Sequence, residues 1–237
     1  MIRTVWAIFR KELRIYFVSP LAYAFLGAFL FLAGLFFYLG IAMTGEASLR
    51  VMLGNLAISL LFVLPMLTMR QIAEEQRQGT FELLLTAPVQ LPALILGKWL
   101  AVLALCAVML AGTLLFPLVL AYYGEPDWGM VGTSYLGMLC CCAAFSAAGL
   151  FASSLTDDQV AAGLGGILLL LPFWLIGNAG SVLGEDWQDV IDLVALLPHL
   201  RSFTRGVIDS ADLVWFAGFC FIFLFLTYRT LESRRWR

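Results

Sequence analysis

Few residues in this chain could carry covalent chemistry. There is one histidine, His199, among 237 residues. No acid or nucleophile at a triad-like spacing accompanies it, so it reads as a helix-cap or packing residue rather than a catalyst. The five cysteines are Cys106, Cys140, Cys141, Cys142 and Cys220. They make no Cys-x-x-Cys or Cys/His spacing of the kind that holds zinc, and all fall in apolar stretches, where a thiol behaves as a small hydrophobe. A phosphate-cradling Gly-x-x-x-x-Gly-Lys-Ser/Thr loop is absent from the sequence. No catalytic residue and no metal ligand is therefore expected, and an intramembrane enzyme is the weakest reading.

The residues most suggestive of a task lie between positions 70 and 98. Glu74, Glu75 and Arg77 sit on what reads as the continuation of an apolar helix into water. Gly79 is placed to end that helix, glycine being favoured just past a helix terminus. Thr80 can cap a new short helix running to Ala87 and stopping at Pro88. That helix carries Phe81, Glu82, Leu83, Leu84 and Leu85, too many apolar residues for a solvated loop. Either the chain's own helix ends or a partner must cover them.

The elements that position this block follow from composition. The chain is 62% hydrophobic and 13% charged, whereas soluble domains sit near 45–50% apolar and about 25% charged. Between charges run Ile15–Gly45, Val51–Met69, Trp99–Gly124, Trp128–Thr156, Gln159–Gly184 and Leu213–Tyr228. A spanning helix needs roughly 20 apolar residues, so these are six spans. They are continuously apolar rather than alternating, which indicates helices and not barrel strands. The sixth is short; Arg229 can snorkel to lengthen it, and Ala211 and Asp212 can sit in the headgroup layer. None of the runs holds the buried Asp, Glu or Arg of an ion-coupled carrier. Pro65, Pro117 and Pro172 fall inside spans, where kinks are tolerated.

Charge sets the orientation. Arg3, Arg10, Lys11, Arg14, Arg70, Arg77, Lys98, Arg229, Arg234, Arg235 and Arg237 fall on one side. Arg50, Arg201 and Arg205 fall on the other, with most of the loop acids. Basic loops stay in the cytoplasm, so both termini are expected there. The balance of −2 carries no signature of nucleic-acid binding.

Residues 1–17 form an amphipathic stripe of Ile2, Val5, Trp6, Phe9, Leu13, Tyr16 and Phe17, with Arg3, Arg10 and Arg14 on another face. A helix lying on the cytoplasmic leaflet fits this pattern: Trp6 and Phe9 dip toward acyl chains while Arg10 and Arg14 meet anionic headgroups. It is either an anchor or also a transmitter of motion. Ser19-Pro20 turns the chain into the first span. Thr156 or Asp157 can cap the fifth span; contact with a cytoplasmic partner is the alternative. Residues 178–212 form an outer region that reads as an interfacial or re-entrant helix rather than a free loop. There Trp187, Val190, Ile191, Val194 and Leu197 make a helical stripe that Pro198 ends, and a second short helix follows to Asp209.

A protein shaped like a transporter but lacking a nucleotide loop needs a separate motor, and the exposed apolar helix at 80–88 is a natural docking point. Several stretches now add up: Arg10-Lys11-Glu12-Leu13, Tyr16-Phe17-Val18-Ser19-Pro20, Glu74-Glu75 through Pro88, Leu96-Gly97-Lys98, Gly149 through Thr156, Pro198-His199 and Gly206-Val207-Ile208-Asp209. Together they resemble the type-2 exporter permeases of the ABC superfamily, and within them the gliding-motility-associated group, over nearly the whole length.

That resemblance implies a single all-α integral membrane permease domain over residues 1–237: an N-terminal amphipathic surface helix, six transmembrane helices, and short re-entrant helices before the sixth span. It implies a bacterial inner-membrane location. Thr80–Pro88 would be the coupling helix seated in a groove of an ABC ATPase, present in two copies that bind ATP and Mg, while this chain holds no cofactor. A second permease copy or a second membrane subunit would complete the assembly. Asp157-Asp158 departs from the more basic or polar pair expected there. Cargo does not carry over. Export of a substrate and mechanotransmission to an extracytoplasmic partner both remain open.

Overall fold

The computed structural model describes residues 1–44, 49–79, 90–123, 127–183, 191 and 193–235. Among them the chain is all helical. Helix α1 (Ile2–Val18) precedes α2 (Pro20–Thr44), α3 (Leu49–Arg77), α4 (Leu91–Thr113), α5 (Leu115–Tyr123) and α6 (Trp128–Leu155). Then come α7 (Gln159–Leu183), α8 (Leu196–Thr204) and α9 (Ser210–Arg235). Six stretches are long and apolar enough to cross a bilayer: α2, α3, α4 with α5, α6, α7 and α9.

Local chemistry sets the boundaries. Ser19, before Pro20, is extended at φ −78°, ψ 128°, and its N–H closes the last turn of α1 on Ile15 O. Pro117 lacks an N–H three residues into α5, and the preceding Leu114 bonds back only three residues, to Ala111 O. The third span is broken there into α4 and α5. Gly79 ends α3 with φ +69° and donates to Gln76 O, as its position predicts. At the end of α8, Gly206 at φ +87° donates to Phe203 O and Val207 donates to Ser202 O, a Schellman closure.

Burial is uneven. Of the α6 span 72% is buried and of the α3 span 56%, against 17% for α2. The core is therefore built on α3 and α6, with α2 at the margin. Small residues on α6 allow this: a Cβ on Gly149 would overlap Thr68 Oγ1 of α3, and one on Gly137 would lie 2.6 Å from Phe203 of α8. Close backbone approach at small residues is how apolar helices associate in lipid.

Several boundaries differ from the sequence expectation. The third span starts at Leu91 rather than Trp99, so Lys98 lies within a helix and not a loop. The capping residue of α7 is Asp158, not Thr156 or Asp157. Its carboxylate accepts from Val160 N (2.7 Å) and Ala161 N (3.1 Å). Those bonds hold its pKa below the ordinary carboxylate value. Pro198 does not end a helix: Ala195 is the N-cap, and Pro198 sits in the first turn of α8, where its missing N–H costs nothing. The expected re-entrant stripe is only partly visible, since Trp187 and Val190 lie outside the described residues. Asp212, expected near the headgroup layer, is buried against the protein.

Candidate coupling site

The site is assembled where α1, α3, α4, α6, α7 and α9 end together. It begins with Gly97 of α4. A Cβ at that position would lie 2.8 Å from Ile8 Cγ2 and 3.1 Å from Val5 O, so only glycine lets α1 lie this close. The approach brings Glu12, 6% exposed and the only buried residue of α1, against Lys98, 1% exposed.

An ammonium group has three protons to donate, and Lys98 places all three. Its Nζ donates to Gln71 O (2.7 Å), Glu75 Oε1 (2.9 Å) and Glu12 Oε1 (3.1 Å). Lys11 lies 3.6 Å and 3.7 Å from the same two carboxylates, completing a neutral quartet. Gln71 Nε2 returns a bond to Lys98 O at 3.0 Å. Buried charges persist only when paired and hydrogen-bonded, and this cluster meets both conditions.

The other helices are tied to the same stretch of α3. Ser153 Oγ of α6 accepts from Ile72 N (3.1 Å) and Ala73 N (3.0 Å) and donates to Met69 O (2.9 Å). A hydroxyl inserted at a helix ladder is among the few things that bend a helix. Gln159 Nε2 of α7 donates to Glu74 Oε2 at 3.0 Å. Arg234 of α9 donates to Gln76 Oε1 (3.0 Å) and Leu155 O (2.9 Å). Beneath these bonds Ile72, Leu94, Ile95, Leu150 and Leu231 form a small apolar cluster.

Of the site residues expected from sequence, Glu74 and Glu75 are thus engaged with α7 and α4, and Gly79 closes α3. Thr80, Phe81, Glu82, Leu83, Leu84 and Pro88 lie outside the described residues. Their two stems, the end of α3 and the start of α4, are clamped by the Glu75–Lys98 bond. On α1, Trp6 is exposed and stacks on Phe9 at 5.1 Å, while Arg10 and Arg14 face outward.

A family model described as ABC-2 family transporter protein matches residues 6–229, from the second turn of α1 into the penultimate turn of α9. The chain belongs to the ABC-2 transporter family. Comparison with curated proteins gives no match. As a member of that family it is a multi-pass membrane protein and a permease-type subunit of an ABC transporter.

Sequence reasoning missed two features of this ABC-2 protein. Lys98 was counted with the loop charges; the signal for it is a lysine following glycine at the start of an apolar helix. At the distal end, opposite the termini, His199 Nδ1 lies 2.6 Å from Asp212 Oδ1, and its ring stacks on Trp215 at 4.7 Å. This pair fastens α8 to α9 and uses the histidine for packing.

Proposed function

We propose that this protein is the permease subunit of a bacterial inner-membrane ABC exporter, with both termini in the cytoplasm. The segment Thr80–Pro88 docks on a separate ATPase. Two such ATPases bind ATP and Mg, and this chain pairs with a second copy or a second membrane subunit. Its motifs resemble those of the gliding-motility-associated permeases. One observation carries the reading: the two stems of the docking segment are joined by Lys98, which carries the link on to Glu12 of α1, and the same turns of α3 bond to α4, α6, α7 and α9. A displacement of the segment would therefore reach five helices through short polar bonds rather than through a compliant loop.

The test is Leu84→Asp in the chain co-expressed with its ATPase. An interface anchor contributes about 2 kcal/mol or more, and the new carboxylate would be set against apolar surface. The expected result is normal membrane insertion with the ATPase lost on purification and its activity no longer stimulated. Unchanged retention and stimulation would remove the segment from the interface.

A further inference from the structure

Helix α1 presents three faces. Val5, Ile8 and Glu12 meet the bundle at Gly97 and Lys98. Arg3, Arg10 and Arg14 lie on the opposite face, all exposed. Between the two, Ile2, Trp6 and Phe17 form an exposed apolar strip. The arginine face lines a groove of about 980 Å³ together with Trp6, Ala7 and Lys11, and no acid is among the described residues around it. Lys11 is engaged with Glu12 and Glu75. Arg3, Arg10 and Arg14 make no hydrogen bond or ion pair with any described residue.

Three unpaired guanidinium groups on one face repel one another, and a phosphate relieves that repulsion because its oxygens match the guanidinium fork. Spacing decides how many phosphates are needed. Arg10 and Arg14 are one turn apart, about 6 Å along the axis, and can share one; Arg3 stands about 10 Å beyond Arg10 and calls for another. Position decides what carries them. Pro20 opens the first span directly after Ser19 closes α1, so the C-terminal end of α1 stands at the bilayer boundary. The strip of Ile2, Trp6 and Phe17 beside the arginines suits acyl chains, and tryptophan is favoured at that depth. A soluble protein surface would match the charges but leave this strip uncovered.

We infer that the arginine face of α1 binds a lipid carrying two phosphates, of the cardiolipin class. One phosphate lies between Arg10 and Arg14, the other at Arg3, and the acyl chains lie beside Trp6 and Phe17. A helix merely resting on a charged leaflet would weigh its arginines alike toward any anionic lipid; this site does not. It is independent of whether Thr80–Pro88 docks on an ATPase.

The test is native mass spectrometry of the full chain in detergent with cardiolipin, phosphatidylglycerol or phosphatidylcholine added. Wild type should retain cardiolipin over phosphatidylglycerol, and both over phosphatidylcholine. Arg10→Gln with Arg14→Gln should lower retention of both anionic lipids about twenty-fold, at roughly fivefold per basic residue. Arg3→Gln should lower cardiolipin about fivefold and leave phosphatidylglycerol unchanged, because only a second phosphate reaches it. Arg77→Gln, an exposed arginine at the same end, should alter neither. If the double variant is unstable, Arg3→Gln still decides. Equal retention of the two anionic lipids by wild type, or equal loss of both from Arg3→Gln, would overturn the two-phosphate ligand. A loss from Arg77→Gln matching that from Arg3→Gln would overturn the site in favour of bulk charge. Displacement of cardiolipin by soluble glycerol phosphate at equal concentration would overturn a lipid as the occupant. Undiminished cardiolipin on arginine variants that lose a co-expressed ATPase would overturn it in favour of that protein.

Discussion

The two ends of the helix bundle are fastened by different means. At the termini end, polar side chains reach across helix boundaries: Lys98 to Glu12 and Glu75, Ser153 to the α3 backbone, Arg234 to Gln76. At the distal end, α8 is held mainly by apolar and aromatic packing, with Thr133 Oγ1 of α6 donating to Phe203 O at 2.9 Å. Phe203 is fully buried beside Gly137, His199 stacks on Trp215, and His199 Nδ1 lies 2.6 Å from Asp212 Oδ1. Directional bonds transmit a displacement with its geometry intact. Packing of a short helix fixes its position yet links it to few partners. The contrast fits the proposal that the ATPase docks at the termini end.

The largest expected effect comes from breaking the directional end. Lys98→Met leaves the buried Glu12 and the partly buried Glu75 with only the exposed Lys11 beside them, and breaking a buried pair commonly costs about 3–5 kcal/mol. Folded yield in detergent should collapse, as read by size-exclusion profile. Adding Glu12→Gln and Glu75→Gln should recover much of the yield but not the ATPase stimulation. Full yield from the single variant would show that the quartet is not structural.

Next is the distal pair. His199→Phe keeps a ring against Trp215 but strands the Asp212 carboxylate, at about 2–3 kcal/mol. The thermal midpoint should fall and amide exchange should rise in α8, with ATPase stimulation unaffected. Loss of stimulation would show the two ends to be linked more tightly than their contacts suggest.

A subtler probe of the first end alters no charge. Gly97→Val should push α1 off α4 at about 1–3 kcal/mol. Hydrogen exchange in α1 should rise while α8 stays protected. Equal protection of α1 in variant and wild type would mean that the approach at Gly97 is not what seats α1.

The smallest effect is electrostatic. The backbone N–H groups of Ala161 and Val160 lower the Asp158 pKa. A carboxylate whose folded pKa is depressed stabilises fully above its unfolded value and loses that contribution as pH falls through the folded value. The acid limb of a thermal-midpoint profile should therefore flatten slightly in Asp158→Ala. An identical acid limb would assign the cap no energetic weight.

Much of the architecture was legible because lipid imposes simple rules. Uninterrupted apolar runs marked six spans, an amphipathic stripe marked α1, and Gly79 marked the end of α3. The errors arose where one residue type serves two purposes. Pro198 can stop one helix or open another, and only the register of Ala195 decides. Three residues near the start of α7 could cap it, and Asp158 is the one beside its first turn. Lys98 was misplaced because a lysine flanking a span is by default a solvated charge. Its burial depends on α1 lying on α4, a contact between residues 86 positions apart that no local pattern announces. Of the candidate site, the stems were legible and the clamp between them was not.

That separation also bears on how the protein is made. Glu12 leaves the ribosome 86 residues ahead of Lys98, a delay of about 4–17 s at 5–20 residues per second. Throughout it the Glu12 carboxylate of α1 lacks the buried Lys98 ammonium that receives it in the bundle. The helix must wait on the bilayer surface while α2 and α3 insert, and it can close on the bundle only after the start of α4 has been synthesised. The first helix of the nascent chain is thus among the last to reach its final place, and a chain arrested before Lys98 would present an unsealed α1 to the cell's quality-control proteases.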